Sequence, residues 1–239
     1  MVLEKAHYKF NETSGTDVID SSGNSNTGTI GAGITINQTG KINKSYLFAN
    51  NDNTSNVNFG NLNWFSETNY SVCGWFNRTG NFGSFTNFLT KTTSTGYDRP
   101  LTISFGSDNA MVCSIGNGSD TLTNLVSTST FSSTGWNHYC YTKSGNDIKL
   151  YINNSLEDSD TLSYTPTTNT TNILLGNLSS TSYASRTYAG NIDDFRIYDF
   201  VLTKKDINLI YNSGNGTETD LLTLRNRADF FSLSLGAEI

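Results

Sequence analysis

Proline is almost missing from this chain, with two residues in 239. Set against 12 Tyr and 14 Phe, that scarcity favours strands. Charge is also thin, at 15% of residues, and Asn, Ser and Thr supply the missing polarity. Those side chains favour turns, strand surfaces and hydrogen-bonding loops over helices. The net charge of -6 argues against binding a phosphate backbone, which needs a basic face, so nucleic acid is not an expected partner. No apolar run is long enough to span a membrane, and Met1 to Lys5 lead into a strand pattern without a signal-like apolar stretch. Membrane insertion is therefore not expected. The Asn-x-Ser/Thr sequons at Asn11, Asn43, Asn77, Asn117 and Asn177 read as a consequence of composition.

Reactive side chains are few. The three cysteines, Cys73, Cys113 and Cys140, show no metal-type spacing, and each sits in an apolar strand-like context. They read as small buried hydrophobes, and a disulfide between two of them stays open. His7 and His138 are the only imidazoles, and His138 sits in a strand pattern between Trp136 and Tyr139. No Gly-x-Ser-x-Gly elbow and no P-loop is present.

What the chain does have is many short strand patterns punctuated by turns. Ala6 to Phe10 alternates, as do Ser55 to Phe59 and Tyr70 to Phe76. Residues 100–105 and 110–115 flank Gly106-Ser107-Asp108-Asn109 as a hairpin. Residues 135–143 and 148–152 form the clearest hairpin, around Ser144-Gly145-Asn146-Asp147. Only Thr203 to Tyr211 looks helical, with Thr203 as N-cap, Asp206 completing a capping box and Gly214 as the stop. Such a pattern indicates an all-β sandwich with one short C-terminal helix.

Gly190 to Tyr198 is the strand the others are organised around. Strict alternation puts Asp193, Phe195 and Ile197 on one face and Asp194, Arg196 and Tyr198 on the other. A carboxylate beside Phe and Ile is costly without a partner, which could be Arg, backbone N–H groups or a metal. A second polar centre is the loop from Asp20 to Gly28, whose Asp and Asn oxygens are spaced closely enough to be a candidate hard-cation site. It lacks the EF-hand order, and Asx-turns alone would also explain it.

In this order, several motifs resemble the laminin-G-like, concanavalin A-like jelly-roll family in its single-domain bacterial and viral form. They are Tyr8-Lys9-Phe10-Asn11-Glu12-Thr13-Ser14-Gly15, Asp20 to Gly28, Tyr46-Leu47-Phe48, Tyr70 to Phe76, Gly135 to Tyr139, Ile148 to Asn154 and Gly190 to Tyr198. The resemblance covers about residues 5–214. It implies a two-sheet antiparallel jelly-roll sandwich with its first and last strands adjacent. It also implies a structural calcium ion held by Asp20 and Asp193 as carboxylates, Asn26, and the Gly28 carbonyl. The alternative is that Asp193 caps backbone N–H groups of the Asp20 loop.

The fold also hosts glycan-active enzymes, but their motifs are missing. There is no Glu-x-Asp-x-Glu pattern, and Gln38 is followed by Thr39-Gly40 where the lyases carry Gln-x-His. The densest acidic run, Glu157-Asp158-Ser159-Asp160, follows a turn, where solvated charge is expected. A binding role remains. The rim loops 82–88, 96–99 and 182–186 carry the side chains that bind sugars by hydrogen bonds and ring stacking. Tyr97, Arg99, Tyr183 and Arg186 are the candidate ligand contacts.

The chain thus divides into a jelly-roll domain, residues 1–214, and a tail, residues 215–239. In the tail, Phe230-Phe231-Ser232-Leu233-Ser234-Leu235 alternates apolar and small polar residues and reads as a strand, which either serves self-association or docking onto virion proteins or packs on its own domain. The expected function is a non-enzymatic virion surface module, a phage fibre, decoration or adhesion protein, that binds host glycans or a cell-surface receptor. The alternatives are a secreted or cell-surface carbohydrate-binding module, and behind it a glycan-active enzyme.

Overall fold

A computed structural model describes residues 3–49, 52, 54–80, 82–83, 85–92, 96–178 and 186–236. The strands, numbered in chain order, form two antiparallel sheets. The first runs β14 (Ser155–Thr161), β13 (Asp147–Ile152), β12 (Asn137–Ser144), β7 (Asn69–Arg78), β16 (Gly190–Tyr198), β5 (Lys44–Phe48) and β4 (Ile34–Thr39). In it, β1 (Glu4–Tyr8) pairs with the second half of β16. The second runs β11 (Leu122–Thr130), β10 (Ala110–Gly116), β9 (Leu101–Phe105), β8 (Thr86–Lys91), β15 (Leu174–Leu175), β6 (Val57–Asn58), β3 (Gly28–Ile30) and β2 (Asp17–Val18). This is a jelly-roll sandwich whose first and last strands are hydrogen-bonded neighbours, as the sequence predicts.

Local chemistry explains the pairings. In the β12–β13 hairpin Ser144 pairs with Asp147, which leaves a two-residue turn with Gly145 at φ +59°. Aromatic rings fill the space between the sheets. Tyr8, Phe59 and Phe195 pack together at one end, and Phe76, Phe88, Phe105 and Tyr139 at the other. All are buried in one apolar cluster. All three cysteines are free and buried, and Cys73 pairs across the ladder with Cys140.

Strict alternation fails in β16. The ladder is irregular between Asp193 and Arg196, and Asp194 adopts φ +50°. The extra residue of this bulge restarts the alternation. Ile192, Phe195 and Ile197 enter the core, while Asp193 leaves it and lies with Asp194 and Arg196 on the opposite side. The expected carboxylate on the Phe195 face is therefore not there.

Two helices cover the outer face of the first sheet. In α1 (Lys204–Tyr211) the capping box forms as predicted, with the Thr203 side chain accepting from the Asp206 N–H. The helix ends at Asn212 in the left-handed region, two residues before the glycine expected to stop it. The tail is not a strand. Residues Leu221–Gly236 form α2, opened by Asp220, whose carboxylate accepts from the Thr223 N–H at 2.9 Å. A terminal strand needs a sheet edge to take its backbone groups, whereas a helix satisfies its own. Leu221 joins Ile207, Ile210, Leu202, Tyr198, Cys73 and Cys140 in a second apolar cluster, with Leu224 packed against it.

Candidate functional site

The bulge sets the electrostatics of the outer face of β16. Asp194 receives a fork from Arg196, with Nε at 3.1 Å and an NH2 group at 3.0 Å, and meets His7 Nε2 at 2.7 Å. All three side chains are buried. Burial pushes the Asp194 carboxyl up, but Arg196 and His7 outweigh it and hold the group below the usual range. Burial, then Arg196, lowers His7, so its contact with Asp194 is a hydrogen bond from a neutral ring at neutral pH. Arg196 also donates to the carbonyls of Thr217 and Thr219, and the Glu4 carboxylate accepts the Leu221 N–H at 2.7 Å. The network thus ties β1, β16 and the start of α2 together. It uses every charge internally and offers no open chemistry.

Asp193 stands apart from that network. Its Oδ2 accepts the Ile42 N–H at 2.8 Å, and its Oδ1 is buried without a partner. Burial raises its pKa to about 8, with the Asp194 and Glu218 charges adding to the effect.

The proposed calcium ligands are not assembled. Asp20 Oδ1 accepts the N–H groups of His7 and Ser22, and Oδ2 accepts the Asn26 N–H and Nδ2. The Asn26 amide also donates to the Lys5 carbonyl, and the Asn26 carbonyl accepts the Tyr8 hydroxyl. Gly28 pairs with Val18 in the β2–β3 ladder, and Asp193 hydrogen-bonds elsewhere, to Ile42. A hard cation needs converging free oxygens, but both Asp20 oxygens are taken by N–H groups, and Asp193, with one free oxygen, sits against Ile42 instead. As placed, the four residues do not fit calcium. Among the described residues no group of three or more His, Cys, Asp or Glu side chains could hold a metal ion. Asp20 is an Asx-type cap that secures its loop to β1.

The acidic run in β14 is not simply solvated. Glu157 accepts the Ser129 N–H, and Asp158 accepts the Val126 N–H, both from β11. These carboxylates clasp the edge of one sheet to the edge of the other, which protects two open edges.

The 96–99 loop has a different character. The Asp98 carbonyl accepts the Thr92 hydroxyl at 2.7 Å, and Asp98 Oδ1 accepts from Thr167 and Asn169. Gly118 and Gly116 donate to the carbonyls of Tyr97 and Arg99. Gly116 is required here, because a Cβ would lie 2.0 Å from the Tyr97 carbonyl oxygen. These bonds hold the Tyr97 ring in an exposed position, 43% accessible. A cavity of about 290 Å³ adjoins the loop through Thr167, lined also by Phe65, Glu67, Lys143 and Asn146. Of the other candidates, Arg186 lies 5.4 Å from the centre of the Phe85 ring, next to Thr187, which bridges to Asn87 of β8. Tyr183, with the rest of 182–185 and Ser84, lies outside the described residues.

Arg99 precedes the Leu101 end of β9 and Arg186 lies beside Asn87 near the start of β8, so the outer face of β8 and β9 runs between their backbones. Leu101, Ile103 and Phe105 point into the core, so Thr102 and Ser104 point outward. Register aligns Asn87 with Ser104, and Thr102 with both Thr90 and Ser114. Asn87 Nδ2 and Thr102 Oγ1 are buried without hydrogen-bond partners, as is Arg99 Nε. The sequence carries this signal in the alternation Leu101-Thr102-Ile103-Ser104-Phe105, but alternation does not say which polar atoms end up unpartnered.

Comparison with known proteins agrees with this architecture. A family model described as the concanavalin A-like lectin/glucanases superfamily, of the laminin-G type, matches residues 50–208. No curated protein sequence matches the chain. Domain 4 of AbnA, a GH43 extracellular arabinanase from Geobacillus stearothermophilus solved with arabinotriose, superposes with a TM-score of 0.66 at 21% identity, covering 90% of this chain and 98% of that one. The binding domain of Paraclostridial Mosquitocidal Protein 1 gives a TM-score of 0.69 at 17% identity, over 87% of this chain and 52% of that one. The receptor binding domain of botulinum neurotoxin type G gives 0.65 at 16% identity, over 87% and 51%. The chain spans about half the length of the two toxin domains. At these identities the likeness is one of fold.

Proposed function

Because the chain belongs to the concanavalin A-like lectin/glucanases superfamily, we propose that it is a non-catalytic glycan-binding module presenting the Tyr97–Arg99 loop to its ligand. The observation that carries this reading is the pre-organised rim loop. Its backbone is tied down by Thr92, Gly116, Gly118, Thr167 and Asn169 while the Tyr97 ring stays exposed. A sugar offers an apolar C–H face for ring stacking and hydroxyls that both donate and accept, and a rigid aromatic loses little entropy on contact. Arg99, Arg186 and Tyr183 complete the proposed contact set. The arabinotriose bound to the AbnA domain supports sugar as a ligand class for this architecture. Against catalysis, the carboxylates of Asp20, Asp194, Glu157 and Asp158 are all engaged with N–H groups or Arg196.

In its narrower form the proposal places the module on a virion surface, as a fibre, decoration or adhesion protein, with contacts to itself or to other virion proteins through residues 215–239. Support comes from α2, where Phe230 is 70% exposed. An extracellular or cell-surface module is the alternative setting. Among the described residues no helix is long and apolar enough to cross a membrane.

A glycan array, followed by a turnover assay on every hit, tests the reading. Binding without turnover, lost at least tenfold in Tyr97→Ala with the melting temperature kept, is the expected result. Cleavage of a hit would refute the non-catalytic part, and full binding by the variant would refute the site.

A further inference from the structure

The proposed sugar site contains a cation with no internal counter-ion. Arg99 is partly buried, and its Nε has no hydrogen-bond partner. The carboxylate next to it in sequence, Asp98, is turned away to Thr167 and Asn169. Among the described residues no ion pair involves Arg99, in a chain whose net charge is -6. A second guanidinium, Arg186, flanks the same strands from the other side, next to the Thr187–Asn87 bridge. The two are close enough that Arg186, after burial itself, lowers the pKa of Arg99. Between them lie the unpartnered Asn87 Nδ2 and Thr102 Oγ1.

A half-buried charge without a counter-ion is unfavourable, and a second charge of the same sign within electrostatic reach makes it more so. An anion placed between them would remove both costs. A carboxylate matches the planar fork of a guanidinium, and a neutral amide or hydroxyl can hold the remaining oxygens. We propose that the surface between Arg99 and Arg186 recognises the carboxylate of an acidic sugar, so that the module prefers uronate- or sialate-type glycans to neutral ones. This inference rests on the glycan-binding reading and names the class of ligand within it.

The experiment is binding of the full chain to an array that pairs carboxylated sugars with their methyl-ester or neutral counterparts, repeated with Arg99→Ala and Arg99→Lys. The expected result is binding at least tenfold tighter to the acid of each matched pair. That preference should weaken as salt rises, vanish in Arg99→Ala and return in part in Arg99→Lys. Equal binding to acid and ester, hits confined to neutral sugars, or an unchanged preference in Arg99→Ala would overturn the inference while leaving glycan binding intact. An array with no hits would overturn both. Circular dichroism and melting of each variant separate loss of the site from loss of the fold.

Discussion

Asp193 is the residue whose environment departs furthest from what its neighbours in sequence imply. Its side chain leaves the core because Asp194 takes φ +50° and the ladder bulges, yet it ends up buried all the same, with one oxygen unpartnered. With a folded-state pKa raised to about 8 from an ordinary 3.8, it keeps a proton that the unfolded chain releases. Below that ordinary value both states are protonated and Asp193 has no effect. As pH rises towards 8 the folded state is increasingly penalised, and the penalty is constant above that. Asp193→Asn keeps an acceptor for the Ile42 N–H and removes the titration. Melting curves should show the variant gaining stability relative to the parent at pH 7.5 but not at pH 3.5. An equal difference at both pH values would mean that Asp193 is not held protonated.

Arg196 presents the opposite case, a buried charge with its partners in place. It satisfies Asp194 and two tail carbonyls, so truncation leaves an uncompensated carboxylate in the interior. Arg196→Met should cost about 3–5 kcal/mol in denaturant unfolding. A loss below about 1 kcal/mol would place these contacts among weak, solvated ion pairs.

Elements rather than residues decide the fate of the C-terminal tail. The alternation of Phe231-Ser232-Leu233-Ser234-Leu235 predicts a strand, but the signals for a helix are also present in Asp220 as a cap and in the Leu221–Leu224 spacing. The choice goes to the helix because an apolar surface awaits it. Cys73, Cys140, Tyr198 and Ile207 on β7, β12, β16 and α1 would otherwise face water. A second tie is polar, since Arg225 grips Asp206 of α1 through two contacts of 2.8 Å. Removing residues 215–239 should therefore destabilise the domain, with Leu221→Ala alone costing about 2–5 kcal/mol. Light scattering of the full chain and of a chain ending at Gly214 reports on assembly at the same time. A truncated chain as stable as the parent would show that α2 is not part of the fold.

At the scale of the whole molecule, the sandwich is held by aromatic packing and by side chains that bridge separate parts of the chain. Glu157 and Asp158 join the two sheet edges, and Asp20 pins its loop to β1. Saturating calcium should leave the melting temperature within about a degree of its value in EDTA. Occupancy at a hundred times the dissociation constant would add about 2.7 kcal/mol, or several degrees, and a shift of that size would restore the metal.

The division between sequence and structure follows from the range of the forces involved. Alternation, turn residues and the Thr203-Asp206 box act over two to four neighbours, so the strands, the hairpins, α1 and the sandwich class are legible from Tyr8, Trp75, Gly145 and Asp206 in the sequence itself. The loop character of residues 96–99 is also legible in the sequence. Other features depend on partners distant in sequence. The bulge that turns Asp193 outward depends on β1, β5 and β7 meeting β16 at different registers. The helical state of the tail depends on an apolar surface built from four separate elements. The capping of the loop by Asp20 depends on His7, Ser22 and Asn26 offering N–H groups to its carboxylate. The electrostatic influence of Arg186 on Arg99, 87 positions earlier in the chain, depends on separate loops flanking one sheet. Such contacts exist only after the chain has closed its long loops, and local pattern carries no information about which of them will form.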